Sequence, residues 1–513
     1  MITFNNTKTL LELVKNIGKE FENNVFLRYE RDDTIFEKGY GTFSMDTMSV
    51  AVYIEGQNKK AGHKIHAAVL GKCSYEYLTV LLGVPCGGGV SIPMDVKLTA
   101  QKMAENLKKA DTDILFYDYS FSSQADELRE LCPFIKRFIC LQTRKNSRNV
   151  PIMHKVFRGE TVKEKIKPDM CAMIIFTSGT TGHGKGVMLS HANLIDNMFC
   201  TDDAKEVCLN VLPIHHIFCI SSDVLLALRY GSTLCICDDM SKILYYIKLF
   251  QPTVIRVVPM IAKMFVNRIA ILRKKNPERS IVEIKEEVLG KRLNRLVSGG
   301  GYLSEILSDA LLNLGIVTGQ GYGMSECSPK ISVPDYTRRD KMASVGHLVT
   351  GCHVRIVDGE IQVKSPSVMM GYYNDEELTK EAITEDGWLC TGDLGYVDDE
   401  DFLYLNGRKK NLIILSNGEN VSPEMIENYF DEDRLVQDII VYGKDDIIAA
   451  EIYPNYEYAQ VNGITDIETA INILVKKHNE QLPSYSRIAD VTVRKTAFEK
   501  TSSNKIIRNV YFD

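Results

Sequence analysis

Short apolar runs alternate along this chain with stretches whose apolar residues recur at helical spacing, and this alternation narrows the fold more than any other feature. "DILFYD" (113–118), "AMIIFTS" (172–178) and "TVIRVVP" (253–259) read as strands buried on both faces. Residues 99–109 and 304–314 read as helices, and the first twenty residues, with Glu12 early, as an amphipathic helix. Strands and helices in alternation predict α/β layers. Further on, the strands become shorter and richer in turns, as in "HVRIVDGEIQVKS" and "GYVDDEDFLYLNGRKKNLIILSNGEN". Asp358-Gly359 and Asn406-Gly407 are read there as turn dipeptides. Ser422 and Pro423 then supply an N-cap and a first helical position. The last hundred residues or so therefore suit a compact α+β domain of their own.

With 513 residues there is enough chain for two or more sizeable cores. A net charge of -6 removes any global basic field for nucleic acid or anionic lipid, so "RKNSR" (144–148) and "RKK" (273–275) are read as solvated faces. No apolar run reaches the ~18 residues of a membrane span. The thirteen cysteines follow no disulfide framework and predict a reduced, cytoplasmic protein, with the C-x-C of Cys235 and Cys237 read as core packing.

"FTSGTTGHGKGVMLSH" (176–191) carries the chemistry. Gly179 to Lys185 fits the first seven positions of a Walker loop, but the eighth is Gly186, which has no hydroxyl for magnesium. Thr177, Ser178, Thr180 and Thr181 crowd the upstream side, where hydroxyls and glycine N–H groups can cradle phosphates without a helix N-terminus. "GVMLSH" continues as a strand, whereas a Walker loop needs a helix at once. A kinase-like loop is thus disfavoured, and a flexible turn remains the plain alternative.

The same stretch resembles the signature loop of the adenylate-forming, AMP-binding superfamily, [ST]-S-G-[ST]-T-G-x-P-K-G-V, with Gly184 in place of its proline. Further blocks follow in family order: "LPIHHIF" (212–218), "GQGYGMSECSP" (319–329), "GWLCTGDLGYVDDEDFLYLNGRKKNLIILSNGENVSPEMIE", and "FEKTSSNKIIR" (498–508), where Asn504 replaces a glycine. Most like this chain are fatty acyl-CoA synthetases. The resemblance implies a large N-terminal domain (1–407) of stacked α/β subdomains, holding ATP and acid, and a small mobile α+β lid (408–513) hinged near Lys410.

It also implies residue roles. Thr177, Ser178, Gly179, Thr180, Thr181, Gly182 and Lys185 hold the β- and γ-phosphates. Glu326 binds Mg2+, and Ser325 contacts the α-phosphate. Tyr322, between Gly321 and Gly323, stacks on adenine, whose edge meets Gly299, Gly300 and Gly301. Asp393 accepts from the ribose hydroxyls, with Arg408 reinforcing it. His216 and Ile217 belong to the acyl pocket, while His215 receives no role. Lys505 is the catalytic cation, acting with His216, Glu326 and Lys185. Gly418, Glu419 and Asn420 face the thiol channel. The implied reaction takes a carboxylic acid, ATP and Mg2+ to acyl-AMP and pyrophosphate, then passes the acyl group to CoA. Because relatives that activate amino acids carry Asp at the position of Ile217, an acid without an α-amino group is expected. The "HHIF" pattern favours a medium- or long-chain fatty acid over an aryl acid. A carrier-protein phosphopantetheine is an equally readable acceptor. A catalytically silent nucleotide-binding protein is the remote alternative, and the presence of Lys505 and Glu326 argues against it.

Overall fold

Two seven-stranded sheets form the body of the chain in a computed structural model that describes residues 6–141, 161–177, 184–201, 204–416, 418–431, 433–500 and 506–508. The basic run 144–148, the loop residues Ser178 to Gly182, Asn504 and Lys505 lie outside the described residues.

One sheet runs, in spatial order, through Val317–Gln320, Arg295–Ser298, Val254–Val257, Val207–Asn210, Thr233–Ile236 and Val25–Arg31. These are all parallel, with Thr34–Gly39 antiparallel at the edge. The other has a parallel centre of Val90–Met94, His66–Leu70, Ile114–Tyr117 and Arg137–Cys140, extended by the antiparallel hairpin Cys171–Thr177/Lys185–Ser190 and the short strand Gly371–Tyr372. Central strands such as Ala67 to Leu70 and Met173 to Ile175 are almost fully buried, as continuous apolar runs require when helices cover both faces. The three strand readings and both helix readings match Ile114–Tyr117, Cys171–Thr177, Val254–Val257, Ala100–Lys109 and Glu305–Asn313, the two helices being capped by Thr99 and Ser304. The amphipathic helix at the start is Leu10–Glu20, whose Thr9 and Glu12 form a capping box.

A four-stranded antiparallel sheet follows: His353–Val357, Glu360–Lys364, Leu389–Val397 and Leu403–Arg408. Asp358-Gly359 makes its first hairpin turn, both residues having positive φ (50° and 78°). Asn406-Gly407 is no turn. It lies within the strand Leu403–Arg408, where the register against Leu389–Val397 shifts. Gly407 is there because a Cβ would stand 2.1 Å from the Ser422 Oγ. After this sheet the small domain closes around its own core, in which Val436–Lys444, Ile447–Pro454 and Ile488–Val493 pack with Pro423–Asn428 and Ile467–Asn479 through Ile426, Phe430, Ile452 and Ile471. Among the described residues no helix is long and apolar enough to cross a membrane.

Candidate functional site

The hairpin Cys171–Thr177/Lys185–Ser190 sets Thr177 opposite Lys185, so the hydroxyl-rich loop begins and ends at one point. A strand, not a helix, follows Lys185, and the helix His191–Phe199 starts only after Ser190. No helix dipole therefore stands directly behind Lys185. The Lys185 Nζ lies 5.3 Å from the centroid of the Tyr372 ring. Lys185 has no carboxylate partner among the described residues, which leaves its charge for an incoming anion.

Glu326 sits in the tight turn Ser325–Cys327 and is 9% exposed. The Tyr372 hydroxyl donates to its Oε1 at 2.8 Å, and its backbone carbonyl accepts from the Met369 N–H at 2.8 Å. Its second carboxylate oxygen has no partner among the described residues. A buried carboxylate with one oxygen to spare, beside a phosphate loop, fits a hard cation such as Mg2+. Gly323 precedes this turn because any Cβ there would be 2.1 Å from the Pro329 carbonyl oxygen.

Asp393 gathers a second cluster. It is buried, accepts from the Tyr322 hydroxyl at 2.7 Å through Oδ2, and pairs with Arg408 Nε at 2.9 Å through Oδ1. Strand register places Asp393 directly across from Arg408. Burial first, and then the Asp393 charge, push the Tyr322 phenol well above its usual range, so it stays a donor. Gly299 to Gly301 leave the strand Arg295–Ser298 beside this cluster. Gly300 has φ +77°, and a Cβ on Gly299 would stand 2.9 Å from the Phe218 ring. The glycine turn and the "HHIF" segment are therefore in direct contact.

His216 caps the helical stretch that starts at Ile217. It faces the same cleft as Thr177, Gly300, Tyr322, Asp393 and Arg408, a space of about 1820 Å³, ample for a nucleotide and an acyl group together. Ile217 is only 3% exposed and packs in the core, away from the cleft wall. Ser325 is half-buried beside Glu326, and Gly321 ends against the Ser332 carbonyl. Lys410 lies in the cleft with its ammonium pKa lowered, mainly by burial and then by the charges of Arg408 and Lys185. Lys500, Ile506 and Arg508, on either side of Lys505, also line it. Gly418, Glu419 and Asn420 are exposed at the turn between Ile413–Ile414 and Asn420–Val421 and do not line the cleft.

Two groups at this site escaped the sequence reading. Tyr372 is one, although "GYY" directly after an apolar run hints at a tyrosine held by the core. The other is Asp95, whose Oδ2 is 3.6 Å from Nε2 of buried His215, whose ring lies tilted, 4.3 Å from that of His216. Its signal is a carboxylate just beyond the C-terminal end of the parallel strand Val90–Met94. Burial lowers the His215 pKa and the Asp95 charge opposes that shift.

Residues 19–373 match the family model of the AMP-binding enzymes, and residues 410–512 match that of the AMP-binding enzyme C-terminal domain. The chain belongs to the AMP-binding enzyme family. Among curated members, the 4-coumarate–CoA ligase 2 of Oryza sativa subsp. japonica is 31% identical over 68% of this chain, a match that spans 63% of that ligase's own length. The 2-succinylbenzoate–CoA ligase of Bacillus cytotoxicus is 30% identical over 75% of this chain and 76% of its own. The peroxisomal OPC-8:0-CoA ligase 1 of Arabidopsis thaliana is 26% identical over 90% and 85%. Among solved AMP-binding enzymes, the O-succinylbenzoate coenzyme A synthetase of Bacillus subtilis, in complex with ATP and magnesium ion, shares the fold with a TM-score of 0.76 at 22% identity, covering 97% of this chain and 98% of that one. A fatty acyl CoA synthetase of Mycobacterium tuberculosis does so with a TM-score of 0.69 at 20% identity, covering 98% and 97%.

Proposed function

We propose that the chain is an ATP-dependent acid–thiol ligase that joins a carboxylic acid to AMP, releasing pyrophosphate, and then transfers the acyl group to the thiol of CoA. One observation carries this reading: a single cleft gathers Thr177, Gly184, the Tyr322–Asp393–Arg408 cluster and His216, and Lys185, directly after Gly184, shares Tyr372 with the buried Glu326 carboxylate. The first step brings a carboxylate oxygen against the α-phosphorus of a tetra-anion, so it needs aimed cations and donors more than a proton shuttle. Lys185 and Thr177 hold the outer phosphates in line. Asp393, fixed from both sides, receives the ribose. Mg2+ held by Glu326 supplies charge neutralisation along the phosphates. His216 separates acid from adenylate. Lys505 bridges the carboxylate and the α-phosphate, a role carried by the family resemblance of its motif. In the second step the thiol attacks the acyl carbon and AMP leaves. We place the domain boundary after residue 407 and the hinge at Lys410, because the chain leaves the four-stranded sheet at Arg408 and the small domain has a core of its own.

For the acid, we favour a medium- or long-chain fatty acid. Support comes from the "HHIF" pattern, whose His216 lines the cleft. An α-amino acid is disfavoured. Ile217 offers an ammonium no partner, and the nearby buried Asp223 is already engaged by Asn210 and Arg256. The names of the curated relatives support an aryl acid as the second reading. The test is ATP–pyrophosphate exchange across saturated acids from acetate to palmitate, with benzoate, cinnamate and α-amino acids alongside. Each buried methylene is worth ~0.8 kcal/mol, so kcat/KM should climb roughly fourfold per CH₂ until the pocket ends. A flat series topped by an aryl acid moves the substrate to that class. Exchange with no acid at all defeats the ligase reading.

A further inference from the structure

We propose that Tyr372 is a positioning residue that sets the magnesium-binding carboxylate and the phosphate-binding lysine from one side chain, an inference that rests on the reading of this cleft as a MgATP site. Its hydroxyl donates to Glu326 Oε1 at 2.8 Å, and its ring centroid lies 5.3 Å from Lys185 Nζ. Tyr372 is 6% exposed, so its hydrogen bond is made away from water, while the half-buried Lys185 makes a partly buried contact with the ring. Its backbone is as constrained as its side chain. Tyr372 pairs with Val187, two residues beyond Lys185, and its N–H donates to the Thr379 hydroxyl at 2.9 Å. The neighbouring Met369 N–H holds the Glu326 carbonyl at 2.8 Å. One short edge strand thus fixes the distance between two groups that stand far apart in sequence. Occupying Oε1, the hydroxyl turns Oε2 of Glu326 outward as a ligand. The ring face keeps Lys185 from swinging onto that carboxylate, where an ion pair would cancel both charges.

The experiment titrates ATP binding to the full chain by calorimetry, once with MgCl₂ and once with EDTA, for the parent, Tyr372→Phe and Tyr372→Leu. Tyr372→Phe keeps the ring and loses the hydroxyl. A hydrogen bond to a charged group of this kind implies that the magnesium concentration for half-maximal tightening rises roughly tenfold, while binding in EDTA stays at the parent level. Tyr372→Leu also loses the ring, and its binding in EDTA weakens by about threefold, the scale of a partly buried cation–π contact. In a Glu326→Gln background, Tyr372→Phe adds nothing further to the magnesium dependence. A Phe variant with the parent's magnesium titration overturns the proposal, as does a Phe variant whose binding in EDTA and in magnesium fall together with its melting temperature. A parent that binds no ATP under either condition defeats the underlying MgATP reading instead.

Discussion

Asp393→Asn tests the nucleoside half of the site most directly, because it removes one charge and almost no volume. The Tyr322 hydroxyl and Arg408 Nε reach Asp393 at 2.7 and 2.9 Å. The Arg408 side chain is 47% exposed, so water replaces most of what it loses, about 0.5 kcal/mol. Tyr322 is buried, and the amide oxygen restores only part of a bond to a carboxylate, a loss of about 1 kcal/mol. Two ribose hydroxyls donating to an amide in place of a carboxylate cost about 1 kcal/mol more in total. The first two losses fall on the free and the ATP-bound protein alike and so on stability, and only the ribose term of about 1 kcal/mol enters binding, which corresponds to ATP binding weakened roughly fivefold. ATP Kd is measured by titration and KM by pyrophosphate exchange; both should rise together while kcat stays within about threefold, the pattern of lost ground-state binding. A 2′,3′-dideoxy-ATP analogue isolates that term, since without ribose hydroxyls the penalty on binding should vanish. If Asp393→Asn binds ATP like the parent, or suffers equally with the dideoxy analogue, the ribose is not on Asp393.

Lys505→Ala should abolish adenylate formation and largely spare thioester formation from supplied acyl-AMP, assayed as separate half-reactions; equal loss in both makes the lysine structural. Lys410→Pro fixes a φ at the proposed hinge, so thiol transfer should drop strongly while adenylation survives; parental rates in both steps remove the hinge. Gly407→Ala forces a Cβ to 2.1 Å from the Ser422 Oγ at φ +117°, and should cost on the order of 2 kcal/mol in a denaturant titration of the small domain; an unchanged midpoint shows that Ser422 gives way freely.

The body of the fold was legible because its strands are buried on both faces, so Ala67 to Leu70 and Met173 to Ile175 had to be apolar without interruption. Helix starts were legible because Thr99, Ser304 and Ser422 cap backbone N–H groups locally. Asn406-Gly407 was misread for a related reason. A glycine admits a tight turn and a close approach equally well, and only tertiary packing against Ser422 selects the second. Tyr372 and Asp95 carry only weak local signals because their partners stand 46 and 120 positions away, and no local pattern encodes a hydrogen bond or ion pair of that reach.

Gly184 shows how far the structure can carry a departure that the sequence only flags. The family loop has proline there, and losing it frees a φ next to Lys185. Any Cβ at 184 would stand 2.8 Å from the Asn106 Oδ1 and 3.1 Å from Phe176 Cδ1. Asn106 belongs to the helix Ala100–Lys109, whose Lys109 Nζ also donates to the Gly184 carbonyl at 3.4 Å. The space a proline ring needs is therefore taken by a neighbouring helix, which holds the backbone at Gly184 by contact and hydrogen bond. Gly184 is thus held across a packed interface, by residues that a motif search does not include.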